Sequence, residues 1–141
     1  MEISINYLAV VVAAIANMAV GYLWYGPVFG KQWKALMGFT PESMKQMKIT
    51  PQMAMVGGVV TSLIMAYVLA HFINLGMAYY TDASLLKVGI HTALWVWLGF
   101  TATTIASSFL WEGKPFNLFL LNASQSFVAL IVMSLILVLW P

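Results

Sequence analysis

Leu23-Trp24-Tyr25-Gly26-Pro27-Val28-Phe29-Gly30-Lys31-Gln32-Trp33-Lys34 ends a long apolar run and opens the one extended region that carries much charge. Trp24 and Tyr25 are amphipathic rings of the kind that settle where lipid tails meet headgroups. Gly26-Pro27 predicts a helix break, because the proline ring removes a backbone donor and drives the preceding residue out of the helical region. Lys31 and Lys34 supply positive charge of the sort retained on the cytoplasmic side of a membrane. The stretch predicts a membrane exit, with Trp24, Tyr25, Gly26, Pro27, Phe29, Lys31 and Trp33 as its interface motif.

Composition points the same way. The chain has 141 residues, 62% hydrophobic and 7% charged, against roughly 25% charged in ordinary soluble domains. A soluble fold would have too little polar surface to show water, so the lipid bilayer is the expected partner. The net charge of +2 arises from six lysines against four acids, without arginine. Phosphate recognition wants a dense basic patch, so nucleic acid is not an expected partner. With no cysteine, disulfides, thiolate nucleophiles and cysteine metal sites are excluded.

Four apolar segments follow, at about residues 3–25, 51–75, 83–111 and 115–140 of a single transmembrane domain. Each is near the ~20 residues that cross a bilayer as helix. A cleaved signal peptide is the rival for the first, but Glu2 and the lack of an early basic residue give it the wrong flank. The fold class is therefore all-α, an integral membrane four-helix bundle. In the loop, 26–50, Phe29, Trp33, Leu36 and Met37 recur at helical spacing opposite Lys31 and Lys34. This predicts a short interfacial amphipathic helix between spans 1 and 2. Five lysines fall on the loop side and only Lys87 on the other. The positive-inside rule then places the loops in the cytoplasm and both termini outside the cytoplasmic membrane.

Small residues line two helices. Ala9, Ala13, Asn17 and Gly21 share one face of the first span, and Gly58, Ser62, Ala66 and Ala70 one face of the second. Such stripes let helices approach closely. Two of them exceed the needs of one hairpin, which predicts a homo-oligomer, most simply a dimer.

The motif has an echo in Leu110-Trp111-Glu112-Gly113-Lys114-Pro115-Phe116. The repeat suggests two helical hairpins of parallel orientation, related by an axis along the membrane normal. Under that alignment Asn17 stands as far before Gly26 as Thr104 before Gly113, and Thr61 as far after Pro51 as Gln125 after Pro115. Each is then about 14 Å below the loop-side surface, near the middle of the ~30 Å hydrocarbon core. With Ser62 and Asn122 beside them they predict a midplane polar layer. Interhelical hydrogen bonding is its simpler explanation, and a ligand-binding layer the sharper one.

His71 and His91 lie at broadly similar depth on neighbouring spans. Paired histidines can ligate haem or a metal, or relay protons. Two nitrogens make an incomplete metal site, so hydrogen-bonded histidines are the plainer reading, and no cofactor is expected. No nucleophile elbow, phosphate loop or paired carboxylate is present, so the chain is not expected to be an enzyme.

Trp24-Tyr25-Gly26-Pro27, Phe29-Gly30-Lys31 and Trp33, the Asn6-Tyr7 start and the Trp111–Phe116 turn resemble domain of unknown function 1761, an uncharacterised bacterial membrane-protein family. The resemblance implies a small multi-span protein and brings no substrate, cofactor or catalytic residue. Three functions stay open. The leading one is a transporter-like protein that binds or translocates a small molecule or lipid through the polar layer. The second is a structural or regulatory membrane partner without transport activity, and the third a haem- or metal-dependent enzyme using His71 and His91.

Overall fold

The computed structural model describes residues 2–141. Four long apolar helices make up most of it: Tyr7–Val28, Pro51–Tyr79, Leu85–Leu110 and Phe116–Leu139, all long and apolar enough to cross a membrane. No strand occurs among the described residues. The protein is an all-α membrane-spanning bundle, and we number its spans one to four in that order.

Side chains set the starts. Asn6 accepts from the amides of Leu8 and Ala9 at 3.1 Å, so span 1 begins at Tyr7 and not at residue 3. Thr50 accepts from Met53 ahead of Pro51, and Ser84 accepts from Lys87. These are N-caps, which satisfy amides that the first turn leaves unpaired. Span 2 continues past residue 75 to Tyr79, because Gly76 is tolerated within it and the chain turns only at Tyr80.

Span 4 is the hub. Leu118, Ala123, Ala129, Leu130, Met133, Ser134, Leu137 and Val138 are buried along it. Spans 1 and 3 pack against its two flanks, and span 2 bridges the group from the remaining side. Asn6 Nδ2 donates to the carbonyls of Trp140 and Pro141 at 3.3 and 3.4 Å. Both ends of the bundle thus meet on one face, as four spans require.

The small-residue stripes are used inside the chain. Ala9 and Ala13 are fully buried, as is Ala66, with Ser62 and Ala70 nearly so. Gly58 lies under Met18, where an added Cβ would come within 3.1 Å of the thioether. Spans 1 and 2 face one another through these residues. These residues therefore supply an intramolecular contact.

Gly26-Pro27 is not the break its composition predicts. Trp24–Val28 widens into a π turn with Pro27 inside it, and Phe29 N donates to Trp24 O at 2.8 Å. A π turn bonds each amide five residues back, so the donor that proline lacks is absorbed in the wider loop of chain. The helix direction changes only at Phe29, with φ −122° and ψ 14°. Gly30 is required there, since an added Cβ would meet the Tyr25 carbonyl oxygen at 2.8 Å. The short helix Gly30–Met37 then seats Trp33 against Tyr25 and Phe39, with ring centroids 5.2 and 5.4 Å apart, and leaves Lys31 and Lys34 exposed. Gly38 ends it at φ 71°. This is the amphipathic helix read from the sequence.

The echo at residues 110–116 does not share this geometry. Gly113 is left-handed at φ 68°, whereas Gly26 is not, and Trp111 is 86% exposed where Trp24 is half-buried. The structural counterpart of Trp24-Tyr25-Gly26 is Trp97-Leu98-Gly99. It opens a second π segment, Trp97–Ala102, in the middle of span 3.

Candidate functional site

A polar cavity of about 580 Å³ opens between spans 1, 2 and 4, with one side chain from span 3. Asn17, Gly21 and Tyr25 reach it from span 1, Thr61 and Ser62 from span 2, Thr101 from span 3, and Gln125 and Ser126 from span 4. Its volume falls in the ~300–1,000 Å³ range of small-molecule sites. Pro51, Ala54, Met55 and Gly58 line it from the loop-side half of span 2.

The back wall is fixed by hydrogen bonds. Asn17 Nδ2 donates to Ser62 Oγ at 2.8 Å, tying spans 1 and 2 at the buried end. Tyr25 donates its hydroxyl to Asn122 Oδ1 at 2.6 Å, and Trp24 donates its indole N–H to the Leu121 carbonyl at 3.1 Å. The motif residues Trp24 and Tyr25 are thus half-buried clasps on span 4.

Span 4 leaves the front wall open. Gly21 faces Gln125, whose Nε2 would lie 3.8 Å from a Cβ at that position. The Gln125 carboxamide takes no part in the side-chain hydrogen bonds among the described residues. Asn17 spends its amide on Ser62 and keeps Oδ1 for another donor. An amide facing a membrane interior without a partner costs several kcal/mol by order of magnitude, and is relieved by water or by a ligand.

The expected layer is thus assembled in part. Asn17, Thr61, Ser62 and Gln125 come together, while Asn122 stands behind the wall as the partner of Tyr25. Thr104 does not join them. It is exposed and donates its hydroxyl to Phe100 O at 2.6 Å on its own helix. Thr101 takes its place, because the π segment Trp97–Ala102 rotates span 3 relative to regular α geometry. Thr101 and Tyr25 are polar lining residues that spacing alone misses. Gly21, one helical repeat from Asn17 on the same face, is the sequence signal for that wall.

His71 and His91 are not brought into one site. His71 Nδ1 lies 2.9 Å from the carbonyl oxygen of Tyr67 one turn back, its ring against the Tyr67 ring. His91 lines a separate hollow with Phe72, Gly76 and Trp95. Neither is joined by further ligands, since no group of three or more histidine, cysteine or acidic residues able to hold a metal occurs among the described residues.

A family model described as a protein of unknown function (DUF1761) matches residues 8–138. No curated protein and no solved structure matches the chain.

Proposed function

Since the chain belongs to the DUF1761 family of proteins of unknown function, its own geometry has to suggest its role, and we propose that it binds a small uncharged or lipid-like molecule in the polar cavity. The observation that carries this is the Gln125 carboxamide, turned into a cavity of about 580 Å³ opposite a glycine and given no protein partner among the described residues. A carboxamide used as interhelical glue would be bonded across the bundle, as Asn17 is to Ser62. The lining offers amide and hydroxyl groups and no carboxylate or ammonium. It therefore suits a ligand with one or two neutral hydrogen-bonding groups on an apolar body, and binding or passage in preference to catalysis.

The test is native mass spectrometry of protein released from nanodiscs, beside a thermal unfolding curve. The wild type is expected to carry a bound small molecule or lipid. Gln125→Leu is expected to weaken binding by up to about tenfold, the worth of one neutral hydrogen bond, with little change in unfolding temperature. Equal occupancy in wild type and variant overturns the reading. So does a variant that loses stability while the wild type carries nothing.

We also propose that the face bearing Lys31, Lys34, Lys45, Lys48 and Lys114 is cytoplasmic. The end of the cavity lined by Tyr25 and Pro51 then faces that side. Reporter fusions at Met47 and after Pro141 are expected to report opposite compartments, and cytoplasmic activity at the carboxyl end overturns the orientation. A partner role using the Gly30–Met37 helix is the second reading, favoured by its exposed Lys31 and Lys34.

A further inference from the structure

A second hollow lies on the opposite end and flank of the bundle. Spans 2 and 3 leave an apolar groove of about 660 Å³ that runs from Tyr79 and Tyr80 at the connecting turn to Gly99 and Phe100 in mid-span. Val88 to Phe100 covers about 18 Å along the helix, more than half of a ~30 Å hydrocarbon core. Trp95 and Phe100, 68% and 70% exposed, stand along it, and His91 and Thr92 are its polar groups apart from the tyrosine hydroxyls.

The groove does not stop at the membrane surface. Tyr79 and Tyr80 also line a small polar hollow of about 300 Å³ with Thr81, Asp82, Ala83 and Lys87. One carboxylate and one ammonium face the same space, and neither is in an ion pair among the described residues. The two tyrosine rings meet edge to face at 4.8 Å and form the step between the hollows. An acyl-sized apolar groove and a surface pocket with one charge of each sign thus share the Tyr79–Tyr80 pair in their linings.

We propose that these two adjoining hollows together bind a zwitterionic phospholipid, one acyl chain along span 3 and the headgroup between Asp82 and Lys87. Lys87 pairs with the phosphodiester and Asp82 with the lipid ammonium, while the Tyr79 and Tyr80 rings flank the headgroup and can add cation–π attraction. The charge pattern selects the occupant. An anionic lipid would meet Asp82 without compensation, and a neutral diacylglycerol would leave both charges unused. The site shares no residue with the polar cavity, so it stands or fails independently of the ligand proposed there.

Purified protein in nanodiscs of mixed composition, with equal parts of phosphatidylethanolamine, phosphatidylcholine, phosphatidylglycerol and diacylglycerol, tests this by native mass spectrometry of retained lipid. Enrichment of the two zwitterionic lipids over the other two is expected. Their relative retention shows whether a primary or a quaternary ammonium is preferred. Lys87→Gln and Asp82→Asn should each lower the enrichment about tenfold, the worth of a charge-assisted hydrogen bond. Gly99→Leu should lower retention of every lipid by filling the deep end, where an added Cβ meets nothing within 4 Å. Both headgroup residues are exposed on the surface and their replacement leaves the packing intact. Retention without headgroup preference, preference for phosphatidylglycerol, or enrichment unchanged by both substitutions overturns the proposal.

Discussion

Gly89→Leu is expected to leave little folded protein in the membrane. Gly89 is buried where span 3 crosses span 4, and a Cβ there would meet Val138 Cγ1 at 2.8 Å and Val138 Cβ at 3.4 Å. Val138 and Ser134 are themselves fully buried. A β-branched side chain in a helix has one favoured rotamer, so Val138 cannot turn aside. The Ser134 carbonyl oxygen, 3.5 Å from the same point, is part of the span 4 backbone. Leucine would therefore have to push the two helices apart along their main contact. Overpacking in a core costs about 1–3 kcal/mol, and a clash with a fully buried side chain held in one rotamer puts this site near the upper end. Gly57→Leu is the control, since its Cβ would meet nothing within 4 Å. Detergent-solubilised Gly57→Leu should unfold near the wild-type temperature, and Gly89→Leu many degrees lower or not elute as a folded species at all. Equal unfolding temperatures for the two variants would show that spans 3 and 4 do not meet at Gly89.

That contact was not legible from the sequence, and the reason is instructive. Gly89 is followed at the same spacing only by Ala93 before Trp97 ends the row, whereas the small residues of spans 1 and 2 keep the four-residue spacing through four positions and announce a face. Repetition is what periodicity detects, and a single pair gives it little to detect. The number of spans, the cap at Thr50 and the amphipathic Gly30–Met37 helix were readable, because each follows from local composition and period. The polar cavity was readable only as far as regular α geometry holds. Asn17, Ser62 and Gln125 lie on continuous α-helices, and they converge as counted. Thr104 follows a π segment, where each turn takes up an extra residue and later side chains are rotated about the axis. A count along an ideal helix therefore selects the wrong threonine. The Trp111–Phe116 echo failed for a related reason. Tryptophan, glycine and proline suit any membrane exit, and only backbone angles separate the π turn at Gly26 from the left-handed turn at Gly113.

The two π segments share a purpose, which gives the second large expected effect. Trp24 and Trp97 each open a π segment on a helix that flanks span 4. Trp24 donates its indole N–H to Leu121 O at 3.1 Å, and Trp97 donates to Ala123 O at 2.8 Å. Spans 1 and 3 thus hold the central helix from its two flanks at nearly one level, through carbonyls whose second lone pair is open beside the helix bond. Trp97 also packs edge-on to Phe127, with ring centroids 5.1 Å apart. Trp97→Ala removes ring and donor together and should destabilise the bundle by about 2–4 kcal/mol, somewhat below the 3–5 of a fully buried tryptophan because this one is half-buried. Trp97→Phe keeps most of the ring and should cost only about 1 kcal/mol, the net worth of the hydrogen bond. Trp95 is the internal control. It lies two positions earlier with the same composition around it, yet it is 68% exposed, and Trp95→Ala should change stability by less than about 0.5 kcal/mol. Unfolding of the three variants in one detergent separates the possibilities. The order Trp97→Ala, Trp97→Phe, Trp95→Ala from most to least destabilised supports the clasp. A Trp95→Ala loss equal to that of Trp97→Ala would mean that both rings are merely lipid-facing, and that span 4 is held by packing alone.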